Sequence, residues 1–310
     1  MIKIMKGSEI VSPNRYLGLI YGSAGVGKST LGCSATAPLI IDTDNGIHRV
    51  KKEYRANTIQ PENFQDILDL FNDPKIISEY KTLVFDTFGS FLDLMEDYVA
   101  QLAPANRQSN GDLTLKGYGV RKKEFIRILD KAKETGLSLL FIAHEKEERD
   151  GEERIIRPLA TGSSINDLIT TMEFVGYVSM MGNNRTINFN PTQKYYAKNS
   201  LNLPANLNIP SIEKQNTFIK EYIEKRIAEK IANETKDLVD VNKLVLPIIS
   251  DKKVEFNDRI GKIRALKFTE TEKKKAMELI NKQAIIENMV FSKADAKFIS
   301  KPQEVVENKK

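Results

Sequence analysis

The chain contains 310 residues, of which 41% are hydrophobic and 29% charged, and its formal net charge at pH 7 is +5. A single cysteine excludes an internal disulfide and a cysteine-based zinc site, and no apolar run approaches the roughly 20 residues that cross a bilayer. The N-terminal sequence MIKIMKGSEI lacks the apolar segment of a signal peptide. We therefore expect a cytoplasmic globular protein with no membrane partner, large enough for one full domain and a smaller second one.

The loop after the first predicted strand is the most informative segment of the sequence. Residues 16–21 form an apolar run of strand length, residues 22–29 read GSAGVGKS, and residues 29–35 have helical composition. The octapeptide fits the phosphate-binding pattern G-x-x-x-x-G-K-[ST] at every fixed position. Backbone N–H groups of such a loop, with the start of the following helix, bind phosphate. The residues predicted to contact the nucleotide are Gly22, Ser23, Ala24, Gly25, Val26, Gly27, Lys28, Ser29 and Thr30.

Two side chains of this loop have a specific predicted chemistry. Lys28 is expected to reach the β- and γ-phosphates and to stabilise the charge that develops there, so we predict that it is catalytic. The Ser29 hydroxyl is expected to occupy one coordination position on Mg²⁺. A chance glycine-rich turn is the alternative interpretation, which the flanking strand and helix disfavour.

The predicted strand at residues 81–86 ends in a carboxylate. Ligands of open α/β sheets bind beyond the carboxyl ends of the strands, and Asp86 fits the second nucleotide motif, in which an aspartate after an apolar run holds Mg²⁺. An aspartate at this position often serves only as a helix N-cap, a role that Thr87 can also fill. Because the phosphate loop precedes it, we predict the metal role for Asp86.

Asp44 follows the predicted strand at residues 38–42. A carboxylate here can polarise the water that attacks the γ-phosphate, since hydrolysis needs a base within hydrogen-bond distance of that water. The alternative is a turn residue beside Asn45 and Gly46, which form a strong turn dipeptide. The sequence leaves both interpretations open, and Asp44 is our candidate catalytic base.

A third polar group ends the most apolar predicted strand, at residues 137–143. His144 is predicted to hydrogen-bond the γ-phosphate and to report hydrolysis to the segment that follows; a structural histidine is the alternative. The following segment, residues 145–158, is dense in charge, and Asp150 with Gly151 predicts the tip of a β-hairpin.

The overall pattern predicts an α/β fold with two parts. Strand and helix segments alternate through the first 180 residues, which is typical of a parallel sheet, and residues 173–181 and 185–190 predict a closing antiparallel pair. From Ser211 onward the sequence is lysine-rich, with 22 Lys and Arg against 17 Asp and Glu. We predict a core domain at residues 1–210 and a helical extension at residues 211–310 with a frayed tail. Predicted helices cover residues 62–71, 88–103, 118–135 and 212–238, and one or two more lie within 260–289.

These segments resemble the RecA-like ATPase core and, more closely, the bacteriophage RecA-like P-loop proteins implicated in single-strand annealing and recombination. The resemblance spans about residues 16–200. Beyond the phosphate loop it is carried by PLIIDTDNG at 38–46, by TLVFDTFGSF at 82–91, and by His144 with the charged hairpin and the Gly-Ser-Ser helix at 162–164. It implies a RecA-like P-loop NTPase core with a mostly parallel sheet, ATP and Mg²⁺ as cofactors, and a location in the host cytoplasm for a phage-encoded protein.

The resemblance also implies roles for individual residues. Asp44 occupies the position of the catalytic glutamate, Asp86 that of the acid on the Mg²⁺ side, and His144 that of the glutamine that senses the γ-phosphate. The polar loop at residues 104–116 and the hairpin at residues 145–158 correspond to the two loops that contact DNA.

RecA-like filaments place basic residues of a neighbouring subunit against the γ-phosphate, so the resemblance implies a homo-oligomer. Lys194 and Lys198 are the candidates here, with Arg185 behind them. Two departures from the family pattern matter. Asp44 is one methylene shorter than glutamate, which predicts slow turnover, and the sequence shows no RecA-type polymerisation segment, which leaves a ring or a weak oligomer open beside a filament.

The sequence therefore predicts an ATP-binding protein with slow Mg²⁺-dependent hydrolysis, coupled to binding or annealing of single-stranded DNA in phage recombination. A small-molecule or nucleotide kinase is one alternative, although acids among the basic residues 149–157 count against a lid of the kinase type. A helicase-loader-type protein is the other, in which residues 211–310 dock on a recombination or replication partner. DNA-stimulated hydrolysis would separate the first hypothesis from the kinase, and a stable complex through the extension would favour the loader.

Overall fold

The computed structural model describes residues 12–150, 153–159, 169–211, 216–235, 241–268, 270–292 and 295–301. The chain divides into two compact units, which we describe separately. Pro13–Lys230 forms one unit, and Ile231–Lys310 belongs to the other, together with the first twelve residues. Within the described ranges, no helix is long and apolar enough to cross a membrane.

The unit at Pro13–Lys230 is built on a ten-stranded sheet. In chain order its strands are β1 (Leu17–Gly22), β2 (Pro38–Asp42), β3 (Asn57–Ile59), β4 (Thr82–Asp86), β5 (Ser138–Asp150), β6 (Glu153–Pro158), β7 (Phe174–Met181), β8 (Asn184–Asn188), β9 (Lys198–Asn199) and β10 (Asn206–Ile209). Their spatial order is β10-β8-β7-β1-β5-β4-β2-β3, with β6 paired to β5 and β9 to β7. The run from β7 to β3 is parallel throughout, whereas β6, β8, β9 and β10 join antiparallel to their neighbours.

Helices connect the parallel strands, because a parallel neighbour can be reached only by a crossover. The helices of this unit are α1 (Lys28–Gly32), α2 (Phe64–Leu70), α3 (Pro74–Glu79), α4 (Phe88–Leu102), α5 (Leu115–Thr135) and α6. Helix α6 starts with π geometry at Ile219–Glu224 and continues as an α-helix at Lys225–Thr235, of which this unit includes the residues through Lys230. Each residue of β1 and β4 is buried, as expected for strands covered on both faces.

Five phenylalanines form the centre of the core beneath α4 and α5. Phe85 on β4 and Phe141 on β5 stack with their ring centroids 4.9 Å apart, and Phe88, Phe91 and Phe125 close around them. This packing holds β4 and β5 in register, with Asp86 beside Ile142. The end of β4 and the core segment of β5 that pairs with it are therefore held by this packing.

The start of α6 packs against the sheet unit. Phe218, Ile219 and Ile223 are each no more than 2% exposed, and the Ile219 N–H donates to the Ser34 hydroxyl at 3.0 Å. Glu224 accepts hydrogen bonds from the Thr36 N–H at 3.1 Å and from the Thr36 hydroxyl. The compact unit accordingly ends at Lys230, which is 20 residues beyond the predicted domain boundary.

The unit at Ile231–Lys310 has its own small core. Its elements are α7 (Val241–Ile249), α8 (Phe256–Arg264), α9 (Glu270–Ile286), β11 (Met289–Ser292) and β12 (Lys297–Ser300), of which the two strands form an antiparallel hairpin. Arg259 on α8 forms a bidentate ion pair with Glu287 at 2.7 and 2.6 Å, and Phe256 packs edge-on against Phe298 of β12.

The observed architecture confirms the predicted fold class, an α/β fold with a mostly parallel sheet flanked by helices and with helices in the C-terminal part. The predicted hairpin after residue 144 is present as β5 and β6, and the predicted closing pair is present as β7 and β8. The sequence missed α7, β10 and the β11–β12 hairpin. The predicted hairpin tip at Gly151, the Gly-Ser-Ser helix at 162–164 and the tail at 302–310 lie outside the described residues.

Candidate functional site

The predicted phosphate loop lies between β1 and α1, at the carboxyl edge of the sheet. Gly25 and Gly27 have φ angles of 79° and 82°, which are left-handed conformations that favour glycine. Gly22 is required for a different reason, because a Cβ atom there would lie 2.3 Å from the carbonyl oxygen of Val178 on β7. The loop tip at residues 23–25 is exposed. The glycines therefore produce a tight turn whose backbone is open to a ligand.

The Lys28 side chain folds back on this loop. Its ammonium group donates to the carbonyl oxygens of Gly22 and Ser23 at 2.9 and 2.8 Å, and the residue is 6% exposed. Burial lowers the pKa of Lys28, while the charges of Asp86 and Glu145 oppose that shift. Phosphate oxygens are stronger, charged acceptors than these two carbonyls, so the ammonium group is placed to exchange one set of partners for the other.

Asp86 lies at the end of β4 beside Ser29. Burial raises the pKa of Asp86 to about 6; interaction with the Ser29 hydroxyl opposes this shift, and the charges of Asp44 and Asp42 add to it. A carboxylate and a hydroxyl thus lie together directly below the phosphate loop, and oxygen donors of this kind suit Mg²⁺. The Asp86–Thr87 peptide bond is cis, and Thr87 is the N-cap residue of α4. Asp86 directly precedes this N-cap residue, and its metal role stays a prediction.

The two carboxylates after β2 have different surroundings. Asp42 is 2% exposed and accepts hydrogen bonds from the N–H groups of Gly46 and Ile47 at 2.8 and 3.1 Å. The side-chain amide of Gln60 donates to the same carboxylate at 3.1 Å. Asp42 therefore stabilises the turn that follows β2, which is the structural role that the sequence left open for Asp44.

Asp44 interacts electrostatically with two of the other candidate groups. It forms an ion pair with Arg49 at 3.7 Å, and its charge raises the pKa values of both Asp86 and His144. Its electrostatic partners lie at the end of β4 and in β5, while its Oδ1 also lies close to Gly46, so the turn interpretation of Asp44 stays open beside the catalytic one.

His144 is the β5 residue beside Gly22 in the parallel register of β1 and β5. Burial lowers the pKa of His144 below its ordinary value of 6.5, the charge of Lys28 lowers it further, and the charge of Asp44 opposes the shift. The imidazole is therefore neutral at pH 7. A neutral ring has one N–H donor and one acceptor nitrogen, which suits a hydrogen bond to a phosphate oxygen or to water.

Glu145 is a site residue that the sequence reasoning missed. Its Oε1 accepts a hydrogen bond from the Ser23 hydroxyl at 2.5 Å, and its charge acts on Lys28 and on Tyr177. Its Oε2 is buried, without a hydrogen-bond partner among the described atoms. The available signal was the position of Glu145, one residue after His144 and at the start of the hairpin.

The three basic residues predicted to act on a neighbouring subunit have different positions. Arg185 on β8 donates to the Val26 carbonyl of its own phosphate loop at 3.0 Å and to the Pro210 carbonyl at 3.2 Å. The Lys198 ammonium group donates to backbone carbonyls of Ile169 and Thr170 at 3.3 and 2.9 Å. Lys194 is exposed. Arg185 is thus a structural partner of the loop within one chain, and a role of Lys194 or Lys198 in a neighbouring site stays a prediction.

The hairpin formed by β5 and β6 carries charges that largely pair with one another. Its described residues include three ion pairs: Lys146–Glu148 at 2.5 Å, Arg154–Glu147 at 3.1 Å and Arg157–Glu148 at 3.1 Å. Arg149 is exposed and forms no ion pair with any carboxylate in the described part of the chain. The hairpin therefore presents less free positive charge than its sequence suggests.

A cavity of about 810 Å³ opens on the β8 and β10 side of the phosphate loop. Pockets of roughly 300–1,000 Å³ are typical of small-molecule sites, so the volume is sufficient for a nucleotide. Its walls include three cationic residues, Arg49, Lys51 and Arg185, and the loop residues 25–27. The sequence reasoning did not predict the contribution of β8 and β10 because no motif marks those strands.

The fold and the loop geometry together define a P-loop nucleotide-binding core. Residues 14–201 match the family model described as AAA domain, and the chain belongs to this family. No curated protein matches the chain. Among solved structures, the chain is similar to the crystal structure of the RadB recombinase, with 14% sequence identity over 57% of this chain and 81% of that chain and a TM-score of 0.34. A likeness at this level carries no argument about function.

Proposed function

We propose that this protein binds ATP and hydrolyses it slowly with Mg²⁺, and that hydrolysis is coupled to binding of single-stranded DNA. One observation carries the ATPase part of the proposal. Lys28, Asp44, Asp86 and His144 come from four separate segments, and each interacts electrostatically with at least one of the others. Three of them, Lys28, Asp86 and His144, have shifted pKa values, and a cluster of such groups beside a loop suited to phosphate is typical of a catalytic site.

The residues present fit a magnesium ion. Asp86 supplies a buried carboxylate whose ionised form is disfavoured in the absence of a cation, and Ser29 supplies a hydroxyl beside it. When bound, Mg²⁺ would neutralise charge on the triphosphate. Lys28 would stabilise the negative charge that develops on the γ-phosphate oxygens, and Gly22 to Gly27 would hold the phosphates through backbone N–H groups.

Asp44 is the proposed proton acceptor for hydrolysis. The oxygen of a water molecule forms a bond to the γ-phosphorus, the bond from that phosphorus to the β,γ-bridging oxygen breaks, and the water proton passes to the Asp44 carboxylate. Arg49 pairs with this carboxylate at 3.7 Å. The neutral imidazole of His144 would orient the water or the γ-phosphate by a hydrogen bond.

Steady-state ATP hydrolysis with Mg²⁺ tests the ATPase proposal directly. We expect Asp44→Asn to bind ATP within about twofold of the parent and to lose at least about 100-fold in turnover, as is common for loss of a general base. Asp44→Glu is the matched control, because it keeps the carboxylate and should retain or increase turnover. Unchanged turnover in Asp44→Asn would show that Asp44 is only a turn residue.

The DNA part of the proposal concerns the β5–β6 hairpin. His144 lies on β5 directly before the first residue that pairs with β6, and the Leu159 N–H just after β6 donates to the His144 carbonyl at 2.6 Å. If the γ-phosphate is lost, a shift of His144 would therefore be passed directly to the hairpin. Arg149, which pairs with no carboxylate among the described residues, supplies positive charge that suits contact with a phosphate backbone and not the reading of bases. A role in phage recombination or annealing follows from the sequence resemblance.

Single-stranded DNA added to the hydrolysis assay tests this coupling. We expect DNA to stimulate turnover in the parent and Arg149→Ala to lose most of the stimulation. Arg127→Ala on α5 is the control, since Arg127 is exposed and already pairs with Glu124. ATP binding without any response to DNA would contradict the coupling and would favour the kinase or loader hypotheses.

A further inference from the structure

A second cavity lies in the sheet unit at the amino ends of the strands, at the opposite end of β1 from the phosphate loop. Its volume is about 420 Å³. The start of β4 and β5, the residues just before β1, and α6 form its walls. The catalytic groups proposed above all lie at the carboxyl ends of the same strands, so this cavity belongs to a different site.

The charged residues of this cavity are mostly cations. Arg15, Lys81, Lys220 and Lys225 line it, together with one acid, Glu224. Among the residues that the structure describes, no carboxylate pairs with any of these four cations. The described part of the cavity therefore has an excess of positive charge.

Glu224 offsets only one of the four positive charges, and its oxygens also accept hydrogen bonds from neutral groups. The Tyr16 hydroxyl donates to Oε1 at 3.1 Å, and the Thr36 N–H donates at 3.1 Å to both oxygens. The Thr36 hydroxyl adds a further hydrogen bond to Oε2. Glu224 thus links α6 to Tyr16 and Thr36 by hydrogen bonds and forms one wall of the cavity.

One cation has an unsatisfied donor. The Nη1 atom of Arg15 is buried and has no hydrogen-bond acceptor among the described atoms. A buried donor without a partner is unfavourable, so a small shift of the Arg15 side chain that brings Nη1 to a ligand oxygen in the cavity would be favoured. The remaining walls include Tyr16, Ile227 and Ala228, which offer apolar surface to the body of a ligand.

We propose that this cavity binds a small organic phosphate, a molecule with a planar or apolar body and one phosphate group. The volume lies within the range that is typical of small-molecule sites. Arg15 would bind the phosphate through its planar set of N–H donors, and the lysines would add unspecific positive charge. Because the ligand would contact both α6 and the strands, its binding would hold α6 against the sheet.

Pyridoxal 5′-phosphate is a suitable probe, because it has an aromatic ring, one phosphate, and an aldehyde that forms a reducible imine with a nearby lysine. The full-length Lys28→Ala protein would be treated with the probe and borohydride, so that Lys28 of the phosphate loop does not react. Peptide mass spectrometry then locates the labelled lysines. We expect preferential labelling of Lys81, Lys220 or Lys225, at least about fivefold above other exposed lysines, and competition by inorganic phosphate.

Two controls keep the experiment decisive. Pyridoxal without the phosphate should lose the preference, and Arg15→Gln should lose it while Arg127→Ala, at a distant exposed arginine, should keep it. The cavity also contains Gly136, where α5 ends, and lysines near a helix C-terminus can simply offset its partial negative charge. If each lysine were labelled in proportion to its solvent exposure, and equally by pyridoxal 5′-phosphate and by pyridoxal, the lysines would only offset the charge of the helix C-terminus. That result would overturn the proposal.

Discussion

Asp86 is a buried carboxyl group whose surroundings disfavour its ionised form. The side chain is 5% exposed, and both burial and the neighbouring aspartates disfavour its ionised form. Its pKa of about 6 means that the folded protein holds a proton on Asp86 at pH values where the unfolded chain does not. Because the folded state then binds more protons than the unfolded state, ionisation of Asp86 between about pH 4 and pH 7 lowers the free energy of unfolding.

Asp86→Asn should therefore stabilise the metal-free protein at neutral pH. We expect a gain on the order of 2–3 kcal/mol at about pH 7.5, which shrinks toward zero near pH 4, where Asp86 is protonated in the folded state and the penalty disappears. Thermal unfolding of both proteins across this pH range measures the difference. The same substitution should abolish stabilisation by ATP with Mg²⁺. A stability difference that does not change with pH would contradict the assigned environment of Asp86.

Glu145 places a negative charge beside the loop that is proposed to bind a polyphosphate. Glu145→Gln removes this charge and keeps a side-chain oxygen that can accept a hydrogen bond from the Ser23 hydroxyl. We expect ATP to bind several-fold more tightly, by about 1 kcal/mol, because repulsion between the carboxylate and the phosphates is lost. Isothermal titration calorimetry at low and high salt would measure the gain, which should shrink as salt increases. Weaker binding would mean that the carboxylate is needed to position the loop.

The packing of helix α1 on the sheet depends on Gly32. A Cβ atom on Gly32 would lie 2.8 Å from Val84 Cγ1 and 2.9 Å from Ile142 Cδ1. The absence of a side chain at Gly32 thus lets α1 approach β4 and β5, and α1 directly follows the phosphate loop.

Two glycine substitutions should act in opposite directions. Gly32→Ala should destabilise the protein by about 1–3 kcal/mol, the usual cost of overpacking a core, and should weaken ATP binding because α1 shifts. Gly119 in α5 is exposed, and a Cβ atom there would meet nothing within 4 Å, so Gly119→Ala should stabilise by about 0.5–1 kcal/mol. Urea unfolding compares the two variants, and similar effects would contradict the packing argument.

Several elements of the C-terminal part depend on packing more than on sequence pattern. Helix α7 contains Pro247, which a pattern-based analysis treats as a helix breaker, yet Val241, Val245 and Ile249 are buried along one face. Burial of that face offsets the hydrogen bond that proline cannot donate. In the sheet unit, β10 likewise depends on tertiary pairing, because its four residues pair with β8 and with no other strand in the described part of the chain.

At the scale of the whole molecule, the end of the compact sheet unit can be tested by truncation. A fragment of residues 1–230 keeps Phe218, Ile219 and Ile223 in place, whereas a fragment of residues 1–210 lacks them. Full burial of each such side chain contributes about 1.5–3 kcal/mol, so the shorter fragment should lose on the order of 5 kcal/mol or more. We expect only the longer fragment to unfold cooperatively and to bind ATP. Equal stability of the two fragments would favour the boundary at residue 210.

The sequence alone determined the phosphate loop, the parallel α/β core and the acids at the strand ends, because glycine spacing and apolar runs are local signals. Asp44, Asp86 and His144 could be named without a structure since parallel strands end at one edge of a sheet. Only the tertiary structure showed that Glu145 contacts Ser23 and that Arg185 contacts the Val26 carbonyl. It also showed that the hairpin charges pair with one another and that the start of α6 packs on the sheet unit. Most of these contacts link residues that are far apart in the chain, and no local pattern encodes them.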